Sequence, residues 1–344
     1  MEYGAIDLHT RRSQIRIVRE DGTVVLDRRI DTTRDALAQL LSCRPPMRIL
    51  MESSTESEWV AAHLETLGHE AVVADPNYAP MYGSRSRKVK TDKRDVAALA
   101  DANRTGVYRR AHRASAGARH LRQTMRVRHH LVQMRGRTIS LVRALLRRDG
   151  LRLASGSAER VVDRLDRLAL PAALATILAP LRESLTQLTA LLDGIEQGVE
   201  ARAAGDATTQ LLMTAPGVGP VVALTYQAVM DDPARFGGRA ARASAFLGLV
   251  PSEDSSAERQ RKGHITKTGP SDLRALLVQA SWVIWRGRSA PGADLRAWAH
   301  ALAARRGRRI AVVALARRFS RILYAMWRDQ HVFEVRPRRS PAAA

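Results

Sequence analysis

A mixed α/β N-terminal domain followed by an almost entirely helical remainder is the fold class this sequence predicts, on three observations. Runs of β-type residues are confined to the chain before Asp75. They alternate with helical patterns in the order βββαβαβ, and the elements read beyond them are helices joined by loops. A length of 344 residues with 45% apolar content suffices for two or three domains with real cores.

Residues 3–8 (YGAIDL) and 13–19 (SQIRIVR) read as strands, and the turn Glu20-Asp21-Gly22 leads into a third, TVVLDRRI, giving an antiparallel meander. A helix over 33–41 follows, then an apolar strand over 48–51, a helix over 55–67 stopped by Gly68, and a strand over 71–74. After a basic loop over 84–90, a helix starts near Thr91, a fitting N-cap, and runs to about Asn103 with Gly106 beyond its end. An RNase H-like fold requires this order of elements.

From Ala118 to Arg148 the chain reads as one long helix rich in arginine, with Arg119, Arg122 and Arg126 in its first half and Gly150 closing it. A second long helix carries Leu178, Leu181, Leu185, Leu188, Leu192, Ile195 and Val199 at alternating spacings of three and four, the heptad pattern of a coiled coil. That seam can be covered by a second chain or by an intramolecular hairpin. Further on, Pro216-Gly217-Val218-Gly219 separates two apolar helical runs. It fits either a helix-hairpin-helix element whose turn amides meet a phosphate backbone or a plain structural turn. A polar, basic loop over 252–270 precedes helices near 273–285, 295–304 and 310–327, and the tail past Arg336 reads as disordered.

Lysine and arginine number 56 against 34 acidic residues, a formal charge of +22, which points to a polyanion and to nucleic acid first. An arginine-rich coding bias with a solvated surface is the plainer reading. Only 4% of residues are aromatic, which favours phosphate contacts over base stacking. The single cysteine, Cys43, excludes a disulfide framework or a cysteine-rich zinc site. The longest apolar stretch, Leu168 to Leu181, is short and broken by Pro171 and Pro180. A cytoplasmic protein that neither spans a membrane nor is secreted is therefore expected.

Four carboxylates stand out by placement. Asp7 lies near the end of the first strand, Glu52 directly follows the apolar strand Ile49-Leu50-Met51, and Asp92 and Asp95 share one helix face. In an RNase H-like sheet the first and fourth strands are neighbours, so the four converge. Such a cluster is costly unless neutralised, and hard oxygen donors suit Mg2+ or Mn2+. Taken singly, each acid reads equally well as a cap or a solvated charge. Glu56, Glu58, Asp75 and Asp101 are less well placed and fall outside the site.

The segments AIDLH, ILMESSTESEWVAAHLE, ADPNYAPMYGSRSRKVKTDKRDVAALA, PGVGP and FLGLVPSEDSS…KGHITKTGPSDLR occur in order. With them the chain resembles the DEDD transposases of the bacterial IS one-ten family from about Tyr3 to Trp327. The resemblance implies a RuvC-like DEDD catalytic domain at 1–112, a helical coiled-coil segment at 113–208 and a C-terminal transposase domain with a catalytic serine at 209–335, with the tail at 336–344. Asp7, Glu52, Asp92 and Asp95 take the DEDD positions. Ser256 takes the serine's, with Ser255 as the alternative, and Ala257 stands where the family commonly has glycine. Arg259, Arg261, Lys262, His264 and Lys267 become candidates for the scissile phosphate, or for a solvated basic loop. The implied partners are donor and target DNA, a structured bridge RNA that guides recognition by base pairing, and further protomers of a homodimer or tetramer with a composite active site. A nucleoid-associated location follows. A hydrolytic junction nuclease and a non-catalytic nucleic-acid-binding remnant are the alternatives.

Overall fold

The computed structural model describes residues 1–83, 91–253, 262–288 and 290–334. The chain forms two compact units, Met1–Arg113 and Ala114–Ala344.

In the first unit, β1 (Glu2–Asp7), β2 (Arg12–Arg19) and β3 (Val24–Asp31) form the expected antiparallel meander, while β4 (Arg48–Glu52) and β5 (Glu70–Ala74) add in parallel beside β1. The resulting order β3-β2-β1-β4-β5 is compatible with an RNase H-like domain. Side-chain alternation separates two faces. Ile6, Ile49, Met51 and Val73 pack against α1 (Arg34–Leu41) and α2 (Ser57–Thr66), whereas Ala5, Leu50, Val72 and Ala74 pack against α3 (Asp92–Thr105). Both faces are thus covered, which accounts for the continuous apolar character of β4 and β5.

Local chemistry fixes α3. The Thr91 hydroxyl accepts the Arg94 amide as N-cap, and Gly106 closes the helix in the left-handed region at φ 72°. Asn103, fully buried, donates its Nδ2 to the carbonyls of Gly4 at 2.8 Å and Arg48 at 2.9 Å, on the adjacent strands β1 and β4. One side-chain amide therefore ties the end of α3 to the start of both strands.

The second unit begins with α4 (Ala116–Arg148), a short α5 (Val161–Asp166) and α6 (Ala172–Ala204), which continues through Pro180. Leu178, Leu185, Leu188, Leu192 and Val199 of the heptad seam are buried within the chain. Leu178 and Leu185 meet Ile139, Val142 and Leu146 of α4 and Val161 and Leu165 of α5, while Val199 meets Leu121 and Met125 of α4. The seam is covered as the intramolecular hairpin would cover it.

The rest is α7 (Ala207–Met213), α8 (Pro220–Met230), α9 (Ala240–Phe246), α10 (Ser271–Arg286), α11 (Ala293–Arg306) and α12 (Arg308–Asp329), around a core containing Tyr226, Phe319 and Tyr324. The Pro216-to-Gly219 turn joins α7 to α8 as expected. The basic loop expected over 252–270 instead contains a two-stranded ribbon, β6 (Pro251–Glu253) paired with β7 (Lys262–Ile265). These strands are too short for an alternating pattern, and close approach at their base holds them. A Cβ on Gly248 (φ 64°) would lie 2.2 Å from the Thr268 carbonyl oxygen, so only glycine fits there. The basic loop over 84–90 and the tail lie outside the described residues.

Replacing Asn103 with Leu keeps the volume but removes the donor to one buried and one part-buried carbonyl, and should cost about 2–4 kcal/mol in chemical denaturation. A loss under ~1 kcal/mol would contradict the clamp. The pair Leu185→Asp with Leu192→Asp buries two carboxylates and should sharply lower helicity and melting temperature by circular dichroism. A folded, soluble monomer of this variant would contradict burial within the chain.

Candidate active site

The strand register brings the first two acids together. Ala5 pairs with Leu50, and both face α3; two residues further on, Asp7 and Glu52 point the same way from the ends of β1 and β4. Asp92 and Asp95 occupy the first turn of α3, on the side that carries Leu99 and Ala102 into the sheet. The helix runs antiparallel to β1 and β4, so its N-terminus meets the strands' C-terminal ends. Asp92, Asp95 and Glu52 all lie near enough for their charges to bear on Asp7, and of the four expected acids Asp7 and Asp92 offer the ligand atoms that come closest together.

Their electrostatics agree. Burial pushes the Asp7 carboxyl above its ordinary value; His9 opposes the rise, and the charges of Asp95, Asp92 and Glu52 add to it. Asp95 is buried, whereas Asp92 is about half exposed. The Tyr82 hydroxyl donates to Glu52 Oε1 at 2.6 Å, from a single 3-10 turn spanning Ala79–Tyr82. His9 Nε2 lies 3.4 Å from Asp7 Oδ2 and 3.7 Å from Asp92 Oδ1, and the Arg29 guanidinium reaches Asp92 Oδ2 at 3.6 Å.

Asp7, His9 and Asp92 each offer a ligand atom, and these atoms all lie within 4.8 Å of one another. Carboxylate oxygens in surplus suit a hard divalent cation such as magnesium or manganese, and the imidazole of His9 favours manganese within that pair. The donor set fits a divalent metal. The four acids set aside from the sequence have other occupations: Glu56 accepts from the Trp59 indole, Glu58 pairs with Arg113, Asp75 with Arg109 and Asp101 with Arg104.

Sequence reasoning missed His9, Tyr82 and Arg29. His9 had a signal, lying two residues after Asp7 in AIDLH; Tyr82 and Arg29 had none, because their partners are distant in the chain.

The basic candidates divide. Arg126 is exposed on α4, Arg122 is half-buried with its guanidinium's proton affinity lowered by burial and by Arg126, and Arg119 is tied to the Ala114 carbonyl. His264 is exposed on β7, and Lys267 is exposed with a positive φ of 55° in the turn beside Gly248. Lys262 opens β7. Ser255, Ser256, Arg259 and Arg261 lie outside the described residues. No helix among the described residues is long and apolar enough to cross a membrane.

Comparison with known proteins agrees with this geometry. The family model for DEDD transposases of the IS110 type, described as a transposase, matches residues 5–148, and that of the transposase IS116/IS110/IS902 family matches residues 209–294. A Pseudomonas aeruginosa protein named "Probable family 20 transposase" is 32% identical over 85% of this chain and 86% of its own length. The transposase for insertion sequence element IS1328 of Yersinia enterocolitica is 26% identical over 95% of this chain and 97% of its own. That for IS1111A of Coxiella burnetii is 28% identical over 71% and 68%. The α/β domain with its acidic cluster and the helical remainder are those of a DEDD transposase, an enzyme of DNA recombination. The chain belongs to the IS110 family of insertion-sequence transposases.

Because the Asp7 carboxyl is raised on folding, the folded state binds its proton more readily than the unfolded state. Stability contributed by protonated Asp7 is present below about pH 4 and lost as pH rises through the folded-state value. At neutral pH with chelator, Asp7→Asn should therefore melt a few degrees above the wild type, with the difference shrinking at low pH. Added Mn2+ should stabilise the wild type and leave the variant unmoved. A variant less stable than the wild type at neutral pH would contradict a carboxyl whose charged form is disfavoured by burial and by the neighbouring acids.

Proposed function

We propose that Asp7, Glu52, Asp92 and Asp95 are the catalytic carboxylates, that they hold Mg2+ or Mn2+ with His9 as an additional donor, and that Ser256 is the nucleophile on DNA. The approach of the four acids to one another at the C-terminal ends of the interior strands β1 and β4 and the start of α3 carries this reading, since a stable fold gains nothing from gathering them. A bound divalent ion would polarise the scissile phosphate and offset negative charge developing on its oxygens. Tyr82 holds Glu52 in one orientation through its hydroxyl, and Arg29 and His9 keep Asp92 aimed at the cluster.

A serine hydroxyl is a poor nucleophile at neutral pH and needs assistance. In the proposed step its oxygen bonds to phosphorus and gives up its proton. The phosphorus–oxygen bond to one deoxyribose breaks, and that oxygen takes a proton and remains a free hydroxyl. Arg259, Arg261, Lys262, His264 and Lys267 supply positive charge around the phosphate. The phosphoserine ester retains the bond for rejoining, which distinguishes a recombinase from a hydrolytic nuclease. Donor and target DNA are the substrates. The net charge of +22 also accommodates a structured guide RNA, with pairing supplying the sequence specificity that backbone contacts lack. Assembly as a dimer or tetramer allows the serine of one protomer to serve the carboxylates of another.

The test incubates protein, guide RNA and end-labelled donor and target DNA with Mg2+, followed by denaturing electrophoresis. Labelled DNA should travel with protein. Asp7→Ala, Glu52→Ala, Asp92→Ala and Asp95→Ala should each lower cleavage by on the order of a thousandfold or more. Ser256→Ala should remove the covalent species while DNA and RNA binding persist. Cleavage that survives in both Ser256→Ala and Ser255→Ala would make water the nucleophile and overturn the serine assignment.

A further inference from the structure

Trp282 on α10 is, like Trp59, Trp285 and Trp298, partly buried, and it differs from Trp298, which Arg318 approaches, in having two guanidiniums near its ring. Trp59 is engaged by Glu56 and Trp327 is buried in the core. Trp282 lies in a shallow surface groove with Gln279, Val283 and Arg286, of which Val283 is 57% exposed. Two guanidiniums approach its ring, Arg286 at 5.2 Å from the centroid and Arg308 at 5.7 Å. Neither makes an ion pair with a carboxylate among the described residues.

The indole is braced by a neighbouring ring. Trp285 meets it edge-on at 6.2 Å, and Trp285 in turn lies against the His300 ring at 4.1 Å. An aromatic so supported offers a fixed flat surface at little entropic cost on binding. Beyond their contact with the ring, the position of Arg308 is not favoured by its own helix. Arg308 and Arg309 open α12, which has no acidic residue in its first turn, and cations there oppose the helix dipole.

We propose that Trp282, Arg286 and Arg308 form a binding site for an unpaired nucleotide of a single-stranded polynucleotide. The base stacks on the indole, and the exposed arginines turn from the ring face to the flanking phosphates. Stacked base pairs in a duplex offer no free face to the indole, so the site selects single strands. Unpaired segments of exactly this chemistry arise whenever a recombining strand leaves its complement. The proposal rests on the reading of the protein as a nucleic-acid-processing enzyme and extends it to a surface distinct from the carboxylates. It also locates a stacking site in a chain whose low aromatic content argues against stacking in general.

The experiment measures binding of the full chain to fluorescein-labelled single-stranded DNA, single-stranded RNA of the same sequence, and duplex DNA, by anisotropy. Trp282→Ala should weaken single-strand binding about tenfold and leave duplex binding within about twofold, while Trp282→Phe, which keeps a ring, restores most of the loss. Arg308→Ala should reduce the slope of log affinity against log salt by about 0.7 for the single strand. The two single-stranded arms identify whether DNA, RNA or both enter the site. Photocrosslinking of an oligonucleotide carrying 5-iodouracil should map to Trp282. Equal losses on duplex and single strand, no loss in Trp282→Ala, or a Phe variant as weak as Ala would overturn the proposal. A change of mass by light scattering without a change in affinity would make the patch a protein interface and overturn it too. A wild-type protein that binds none of the three nucleic acids would instead remove the underlying reading, so the two failures are distinguishable.

Discussion

The burial of the Asp7 carboxyl beside other acids is the constraint on which the N-terminal unit depends. Burial raises the cost of ionising Asp7, His9 opposes the rise, and the charges of Asp95, Asp92 and Glu52 add to it. Apolar packing must oppose that cost. Ala5, Leu50 and Val72 on the sheet meet Val96 and Leu99 on α3, and Asn103 bonds the far end of the helix to β1 and β4. Helix and strands run antiparallel, so pinning one end of α3 fixes the approach of its other end to the strand termini. A cluster that opposes folding yet is held this firmly reads as a site for a cation.

The second unit solves a different problem. Its long helices α4 and α6 bury their apolar seam against each other and α5, leaving much of α4's arginine at the surface. Arg126 is available to a polyanion, while Arg128 and Arg135 are taken up by Glu196 and Glu159. Such pairs cancel within the net charge of +22, so the excess resides on cations without an acidic partner, Arg126 among them. The ribbon β6–β7 is anchored where Gly248 and Gly269 admit close backbone approach, with a Cβ on Gly269 falling 2.0 Å from the Phe246 carbonyl oxygen.

Much of this was legible in the sequence because local rules sufficed. The caps of α3, Thr91 and Gly106, act through their own side chain or backbone freedom, and both were readable. The faces of Asp7 and Glu52 follow from a period of two and the neighbouring of β1 and β4. Where recognition depended on partners far along the chain, the sequence was silent. Tyr82 reaches Glu52 across thirty residues, and Arg29 meets Asp92 from another strand. Periodicity revealed the seam on α6 but not what covers it, since a heptad looks the same against α4 as against a second chain. The β6–β7 strands, three and four residues long, leave no periodic trace.

Manganese binding followed by electron paramagnetic resonance tests most directly whether the four carboxylates act as one metal site. Free Mn2+ would be titrated with the wild type and with Asp7→Asn, Glu52→Gln, Asp92→Asn and Asp95→Asn, each verified as folded. The account predicts saturable binding to the wild type and a loss of affinity in every one of the four variants. Binding as tight as the wild type's in any of them would contradict the single-site assignment for that residue, and in all four would contradict the site itself.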